Sequence, residues 1–264
     1  MRTFRLFGLP IVDETIDEAA HYVIDQIHGT GPRSLFFVNA HTLNNALADP
    51  AYYSVLARAS RVYGDGAGVR WAARNRGLRL KSNLNGTDLI PQVMTNGRNL
   101  RCFLVGSSPE RTERIANEFR RRFPTVELVG AHHGYLDADG SRKVAETINA
   151  SGANVVLVGM GNPLQENWID RYGGGMPNAL CIGVGGLLEY WSGALERAPA
   201  WVRKAGLEWV HIMLRQPWKA KRYLVGNPLY IMRALLHRRT DRLAPALMRT
   251  EILMRTEMMR TELG

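Results

Sequence analysis

The strongest constraint on the fold is a repeated unit, in which a short apolar run precedes a longer amphipathic stretch, up to about residue 195. This alternation is typical of β-strands alternating with α-helices, so the sequence predicts an α/β fold with a largely parallel sheet flanked by helices. The predicted strands are residues 35–38, 61–63, 100–105, 126–129, 155–158 and 179–184. The chain is 45% hydrophobic, which suffices for a core over 1–195 in two lobes, 1–98 and 99–195.

Glycine follows directly after several of the predicted strands, at Gly64, Gly106, Gly159 and Gly185. A glycine at this point lets backbone amides approach a ligand, and the helix that follows directs its N-terminus toward phosphate groups. Any single loop of this kind is also consistent with an ordinary strand-to-helix turn. Several such loops at one edge of a sheet favour a nucleotide site.

The cysteines and the N-terminus bear on the compartment. Cys102 and Cys181 lie inside apolar runs, where a thiol behaves as a small buried hydrophobe, so we expect a reducing cytoplasm and no disulfide framework. The apolar stretch within residues 1–10 is too short for a secretory signal. No apolar segment reaches the roughly 18 residues that a membrane-spanning helix requires. We therefore expect a cytoplasmic protein whose membrane contact is peripheral, on the inner face.

The positive charge is concentrated at the C-terminus. Residues 1–196 carry 20 Lys and Arg against 19 Asp and Glu, whereas residues 197–264 carry 14 against 5, most of the net charge of +10. Tryptophans alternate with these basic residues, a composition suited to a headgroup interface, although a helix packing its apolar stripe on the core gives the same pattern. We expect a basic helical appendage over 196–246, which attracts phosphates or an anionic membrane, and a low-complexity tail over 247–264.

Two loops carry the candidate chemistry. Asp65, between Gly64 and Gly66, is a candidate general base, although an aspartate between glycines is also common in plain turns. The second loop opens with Gly159 and Gly161, and we expect Gln165 in the next helical turn to direct its amide toward the ligand. Glu166 is expected to favour the helix dipole.

The sequence offers no good metal site and no dinucleotide fingerprint. His132 and His133 are adjacent, so their side chains diverge, and we expect polar loop residues or substrate contacts there instead of metal ligands. The chain has no Walker loop or G-x-G-x-x-G fingerprint. We therefore expect no metal and no cofactor.

The order and spacing of seven motifs resemble the WecG/TagA/CpsF family of bacterial glycosyltransferases, from about residue 35 to 223. The motifs are Asp65-Gly66, Gly86-Thr87-Asp88, Gly130-x-His132-His133-Gly134-Tyr135, Gly161-x-Pro163-x-Gln165-Glu166, Gly183-Val184-Gly185-Gly186, Arg197-Ala198-Pro199 and Gly206-Leu207-Glu208-Trp209. The resemblance implies a Rossmann-like fold and an inverting, metal-independent hexosyltransferase. It further implies a UDP-sugar donor and an undecaprenyl-diphosphate-linked acceptor, in the synthesis of cell-surface polysaccharide or exopolysaccharide.

The resemblance also implies residue roles. It makes Asp65 the general base, places Gln165 and Glu189 in the donor pocket, and has the appendage close the site and touch the membrane. We expect Arg197 and Arg222 to bind the diphosphate as fixed cations in place of a metal; surface solvation is the alternative. The remaining expected substrate contacts are Asn39, His41, Thr87, Asp88, Gly106, Gly159, Gly161 and Gly185. For Thr87 and Asp88, a helix cap is the structural alternative.

The chain departs from the family pattern at several of these positions. Asn39-Ala40-His41 stands where the family often has Thr-x-Asn, and Glu189 stands where it has aspartate. The family arginines before the Gly-Thr-Asp motif and in the appendage are replaced by Asn83, Ile212 and Lys219. The donor sugar and acceptor of other members therefore do not transfer directly.

Two other classes of protein compete with this interpretation. A non-catalytic module that binds anionic membranes or nucleic acid explains the basic C-terminus but not the polar loops, so we expect no nucleic-acid partner. A nucleotide-sugar epimerase is disfavoured because the dinucleotide fingerprint is missing. A homo-oligomer remains compatible with the sequence.

Overall fold

The computed structural model describes residues 2–196, 198–199, 202, 208–216 and 220–237. Its strands are β1 (Arg2–Leu6), β2 (Leu9–Asp13), β3 (Arg33–Val38), β4 (Arg61–Gly64), β5 (Arg101–Gly106), β6 (Glu127–His132), β7 (Val155–Gly159) and β8 (Leu180–Gly183). Its α-helices include α1 (Ile16–Ile27), α2 (Ala40–Ala48), α3 (Pro50–Arg58), α4 (Gly66–Asn75), α5 (Gly86–Asn96), α6 (Pro109–Arg122) and α7 (Ala138–Ala150). The later ones are α8 (Leu164–Tyr172), α9 (Leu187–Trp191), α10 (Glu208–Arg215), α11 (Ala220–Leu224) and α12 (Gly226–Leu236).

The strands form one eight-stranded sheet in the order β1-β2-β4-β3-β8-β7-β5-β6. Only the pairing of β1 with β2 is antiparallel, and every other neighbouring pair is parallel. The predicted α/β fold with a largely parallel sheet is confirmed. The two expected lobes are halves of this single sheet, since Ser34 of β3 pairs with Cys181 of β8 across the middle.

All six predicted strands are present, whereas the hairpin of β1 and β2 was not predicted. Its two-residue turn is Phe7-Gly8, with φ values of 55° and 81°. Two-residue hairpin turns of type I′ need positive φ at both central residues and are usually formed by Asn-Gly or Asp-Gly. Because phenylalanine rarely adopts this conformation, the turn gives no recognisable signal in the sequence.

Helices cover both faces of the sheet, so alternate residues of each parallel strand enter two different cores. In β3, Phe36 and Val38 belong to the core that includes side chains of α2, α3, α4, α7 and α8, while Leu35 and Phe37 belong to the core that includes side chains of α1, α5 and α6. Continuous apolar strands of this kind are typical of parallel sheets buried on both faces. Cys102 and Cys181 are buried free thiols, as expected.

The last described helix, α12, packs against α2 and α4. Tyr230 and Ala234 of α12 are buried in the same core as the sheet, and the Tyr230 hydroxyl donates to the Gly68 carbonyl oxygen at 3.2 Å. The Asn44 amide of α2 donates to the Gly226 carbonyl oxygen at 2.7 Å. Residues 226–237 of the expected appendage therefore share a core with residues 1–195.

Candidate active site

The carboxyl ends of the parallel strands meet at one edge of the sheet, which is where open α/β sheets bind ligands. The structure brings together there the loops that leave β3, β4, β5, β7 and β8. The sequence-predicted residues in these loops are Asn39, Asp65, Gly106, Gly159, Gly161 and Gly185. This edge is the candidate active site.

Three of the loops approach one another closely at their glycines. A Cβ on Gly106 would lie 2.5 Å from the carbonyl oxygen of Gly159, and one on Gly159 would lie 3.0 Å from that of Gly185. Any larger residue at Gly106 or Gly159 would separate the loops, so the close approach explains the glycines. By contrast, Gly66, Gly161 and Gly185 have positive φ, and a Cβ on any of them would meet nothing within 4 Å. The loops thus combine tight mutual packing with open space for a ligand.

The buried side chain of Gln165 connects the loop after β7 to the loop after β8. Its side chain is only 1% exposed, its Oε1 accepts from the Gly185 amide at 2.9 Å, and its Nε2 donates to Glu166 at 2.7 Å. The sequence predicted an amide directed at the ligand, whereas in the structure both ends of the amide make bonds inside the protein. Gln165 therefore fixes the position of Gly185 in the loop that follows β8.

Glu166 is fully buried at the centre of a polar network. Its Oε2 accepts from the Tyr52 hydroxyl at 3.1 Å, and its Oε1 accepts from the amides of Gln165 and Asn162. Burial raises the pKa of the Glu166 carboxyl to about 7, although the three hydrogen bonds favour the ionised form. The network links α3 to the loop after β7, a role that the expected helix-dipole interaction does not include.

Asp65 begins α4 at the end of β4. Its backbone amide donates to the Val38 carbonyl oxygen at 2.9 Å, which keeps the residue against β3, and its side chain is half-buried. The next amide, that of Gly66, donates to Oδ1 of Asn83 at 2.7 Å. Asn83, one of the departures from the family pattern, therefore stabilises the turn that presents Asp65.

Four predicted contacts lie at the starts of helices. Asn39 caps α2, because its Oδ1 accepts from the amides of His41 and Thr42 at 3.0 and 3.2 Å. Thr87 and Asp88 lie in the first turn of α5, where the Thr87 hydroxyl and the Asp88 amide both donate to Asn85 Oδ1. The cap is thus Asn85, one residue before the predicted motif.

The first turn of α5 nevertheless belongs to the site. A Cβ on Gly86 would lie 3.4 Å from the Phe37 ring and 3.6 Å from the Val184 carbonyl oxygen, beside the ends of β3 and β8. The His41 ring lies in the first turn of α2, with Nε2 3.4 Å from Nδ2 of Asn45. The helix-capping and ligand-contact interpretations are compatible at this position.

Glu189 of α9 is held at the β5 loop by two partners. Its Oε1 accepts from the Ser107 hydroxyl at 2.6 Å, and its Oε2 forms a 2.7 Å ion pair with Arg111. Ser107 has a positive φ of 60°, and its amide donates to the Gly159 carbonyl oxygen at 3.3 Å. The carboxylate therefore helps to hold a strained residue between the loops of β5 and β7.

The two predicted arginines differ in what the structure shows. Arg197 lies outside the described residues. Arg222 of α11 is half-buried, its guanidinium carbon lies 5.4 Å from the Tyr223 ring centroid, and its Nε is buried without a hydrogen-bond partner in the described part of the chain. A buried guanidinium nitrogen without a partner is consistent with a contact to a group outside the described residues.

Among the described residues, no group of three or more His, Cys, Asp or Glu side chains is placed to hold a metal ion. Within the same ranges, no helix has the length and apolar character that crossing a membrane requires.

Sequence reasoning missed Tyr52, Asn162, Ser107 and Tyr230. Tyr52 lies 114 positions before its partner Glu166, and Tyr230 lies 162 positions after Gly68, so no local pattern connects them. Asn162 and Ser107 stand directly beside the glycines of recognised loops. This position beside the glycines was the one sequence feature that could have indicated Asn162 and Ser107 as residues of the site.

Comparison with known proteins gives one family. The model of the glycosyl transferase WecG/TagA/CpsF family matches residues 4–244. Three relatives, each named as an N-acetylglucosaminyldiphosphoundecaprenol N-acetyl-beta-D-mannosaminyltransferase, illustrate the similarity. The Bacillus subtilis (strain 168) protein is 29% identical over 241 residues, covering 89% of this chain and 92% of its own length.

The two other relatives cover slightly less. The protein of Bacillus spizizenii (strain ATCC 23059 / NRRL B-14472 / W23) is 32% identical over 74% of this chain and 76% of its own. That of Staphylococcus aureus (strain MW2) is 30% identical over 75% and 78%. The match confirms the resemblance drawn from the seven motifs. The chain belongs to the WecG/TagA/CpsF family and is a glycosyltransferase.

Proposed function

We propose that this chain transfers a hexosyl group from a UDP-sugar to a saccharide linked to a polyprenyl diphosphate, with inversion and without a metal. The observation that carries the proposal is the position of Asp65 at the sheet edge where the glycine loops of β5, β7 and β8 gather. The relatives support a lipid-linked acceptor. Their names specify N-acetylglucosaminyldiphosphoundecaprenol as a substrate and N-acetyl-beta-D-mannosaminyl as the group transferred.

The proposed reaction is a single displacement. The Asp65 carboxylate removes the proton from the acceptor hydroxyl, whose oxygen attacks the anomeric carbon from the face opposite the nucleotide. The bond from that carbon to the diphosphate oxygen breaks, and UDP leaves with the electron pair. The negative charge that develops on the diphosphate is stabilised by the backbone of the glycine loops and by Arg197 and Arg222. Inversion follows because attack and departure occur on opposite faces.

Family membership favours this function over the two alternatives raised by the sequence. A non-catalytic binding module does not account for a chain that belongs to a family of transferases. An epimerase is disfavoured, because the sequence lacks the dinucleotide fingerprint. The proposed setting is the synthesis of a cell-surface polysaccharide, with the protein at the inner face of the membrane.

The test is Asp65→Asn, assayed with radiolabelled UDP-sugars and a polyprenyl-diphosphate-linked acceptor. Loss of the base should reduce turnover by roughly 10²- to 10⁴-fold, while stabilisation of the protein by UDP persists. Asp25→Asn is the matched control, because Asp25 is exposed near the C-terminal end of α1, at the opposite edge of the sheet. Near-normal turnover of Asp65→Asn would remove the residue from this role.

A further inference from the structure

A cavity of about 360 Å³ lies between α6 and the C-terminal end of α9. The volume is within the range of small-molecule sites in proteins, about 300 to 1,000 Å³. Three arginines and two aromatic residues belong to its lining: Arg114, Arg121, Arg122, Tyr190 and Trp191. None of the lining residues, all of which the structure describes, belongs to the glycine loops at the sheet edge. The cavity is therefore distinct from the candidate active site.

Arg114 is a cation without a counter-charge. Its side chain is exposed and forms no hydrogen bond or ion pair among the described residues. Glu110 lies four residues earlier, the spacing at which a glutamate and an arginine pair on a helix, but the guanidinium lies instead against the loop after α9, where a Cβ on Gly193 would be 2.7 Å from Nη2. Arg114 is also in the second turn of α6, far from the C-terminal end where the helix dipole favours a cation. Neither a helix ion pair nor the helix dipole accounts for its position.

The carboxylate in the lining, that of Glu118, is already engaged. Arg121 donates to both of its oxygens at 2.8 Å, and Nε of Arg122 donates to Oε1. Within the described part of the chain, Nη1 of Arg121, both terminal nitrogens of Arg122 and the whole guanidinium of Arg114 have no acceptor. Three arginines against one glutamate leave a net charge of +2 in the lining. The cavity thus offers positive charge and hydrogen-bond donors, which is what an anion requires.

Part of the cavity wall is apolar and well packed. Trp191 is 4% exposed, and its ring meets those of Phe119 and Phe123 edge-to-face, with 5.6 and 5.7 Å between centroids. An apolar wall lowers the local dielectric constant, so a guanidinium beside it attracts an anion more strongly than one surrounded by water. Among anions, phosphate suits this lining because its oxygens match the two parallel N–H groups of a guanidinium.

We propose that the cavity between α6 and α9 binds a phosphate group, carried either by a soluble phosphate or diphosphate or by the headgroup of an anionic lipid. The guanidinium groups of Arg114, Arg121 and Arg122 donate to the phosphate oxygens. Gly193, against which Arg114 lies, is three residues before the predicted start of the appendage at residue 196. Because that appendage is expected to contact an anionic membrane, a lipid headgroup is one of the two sources. The inference uses no residue of the proposed reaction and stands apart from it.

The experiment measures the binding of inorganic pyrophosphate to the full chain and its variants by calorimetry. Arg114→Gln should weaken binding by about 10- to 150-fold, the range expected for one lost hydrogen bond to a charged group. The melting temperature of the ligand-free protein should not change, since Arg114 has no partner in the described residues to lose. Arg120→Gln is the matched control, because Arg120 is an exposed arginine of the same helix that does not line the cavity.

A second variant should strengthen binding, which structural damage does not do. Glu118→Gln removes the negative charge from the lining and releases the guanidinium groups of Arg121 and Arg122. We expect pyrophosphate to bind about 2- to 5-fold more tightly, the range for one partly exposed charge interaction. Weaker binding by Glu118→Gln would contradict recognition by these charges and overturn the inference.

Co-sedimentation with phosphatidylcholine vesicles that contain phosphatidylglycerol distinguishes the two sources. If Arg114→Gln weakens vesicle binding more than Arg120→Gln does, the phosphate is that of a lipid headgroup; an effect on pyrophosphate alone identifies a soluble ligand. Both results support the site. If Arg114→Gln and Arg120→Gln behave alike toward pyrophosphate and toward vesicles, the cavity is not a phosphate site and the inference is overturned, while the transferase function stands.

Discussion

Glu166 is a buried carboxyl whose three hydrogen-bond donors are all neutral, from Tyr52, Asn162 and Gln165. An isolated charge is costly to bury, so its proton is retained to a higher pH than in the unfolded chain. The pKa is raised to about 7 from the ordinary value of 4.5. Between these values the native state binds more protons than the unfolded state, and the free energy of unfolding must fall as pH rises.

The corresponding prediction concerns Glu166→Gln, which removes the proton linkage. The free energy of unfolding of the wild type, relative to this variant, should fall by up to about 3 kcal/mol between pH 5 and pH 8. Chemical denaturation at a series of pH values measures it. Glu118→Gln is the control, because ion pairs with Arg121 and Arg122 lower the Glu118 pKa to about 2, outside this window. Parallel pH profiles for wild type and Glu166→Gln would contradict the prediction.

The positions of the candidate site residues could be predicted from the sequence better than their hydrogen-bond partners. The glycines and Asp65 were predicted to lie at the sheet edge because they follow apolar strands, which is a local pattern. The hydrogen bonds of the Gln165 amide to Gly185 and Glu166 were not predicted, since they are set by how α8 packs on β8. Tertiary packing of this kind leaves no trace in local spacing.

Among the elements, α12 couples the C-terminal segment to the turn that presents Asp65. The Tyr230 ring is 1% exposed, meets Phe7 edge-to-face at 5.8 Å between centroids, and lies 3.3 Å from the Cβ that Gly68 lacks. Gly68 is in the first turn of α4, three residues after Asp65. Displacement of α12 would therefore disturb both the core and the active-site turn.

We expect Tyr230→Ala to lower the free energy of unfolding by about 3–5 kcal/mol, the usual cost of removing a buried aromatic ring. Tyr230→Phe should cost about 1 kcal/mol, since it removes the hydrogen bond to Gly68. Met232 lies on the same helix and is 52% exposed, so Met232→Ala should change the free energy of unfolding by less than about 0.5 kcal/mol. Denaturant unfolding compares the three, and an unaffected Tyr230→Ala would show that α12 does not contribute to the core.

The strands were predicted correctly where an apolar run and the glycine or turn residues at its end indicate the same element. The inner parallel strands contain continuous apolar runs, as a sheet buried on both faces requires. The β1–β2 hairpin was missed because Phe7 occupies a turn position that usually takes asparagine or aspartate. The predicted boundary between core and appendage at residue 195 follows the change in charge. The packing of α12 on the core depends instead on Tyr230 and Ala234. Their apolar character alone does not show whether they pack on the core or face a membrane.

For the whole molecule, charge and exposed apolar surface coincide at the C-terminus. Of the ten exposed large hydrophobic residues in the described ranges, seven lie between residues 208 and 237. They are Leu214, Leu224, Val225, Ile231, Met232, Leu235 and Leu236. The same part of the sequence, residues 197–264, carries nine of the ten net positive charges. Apolar side chains among basic residues are the combination that binds the headgroup region of an anionic membrane.

The prediction is that the chain binds vesicles containing anionic lipid and that the exposed side of α12 contributes directly. Ile231→Ser, Met232→Ser and Leu236→Ser combined should weaken binding at least tenfold, since each buried aliphatic side chain contributes about 1.5–3 kcal/mol. Vesicle co-sedimentation measures the affinity, and raising the salt concentration should weaken it further by screening the basic residues. Leu164→Ser is the matched control, because Leu164 is 64% exposed but lies in α8, outside the C-terminal helices. Equal vesicle binding by the triple variant and the wild type would show that the apolar surface of α12 serves another purpose, because a membrane-facing surface cannot lose three aliphatic side chains without losing affinity.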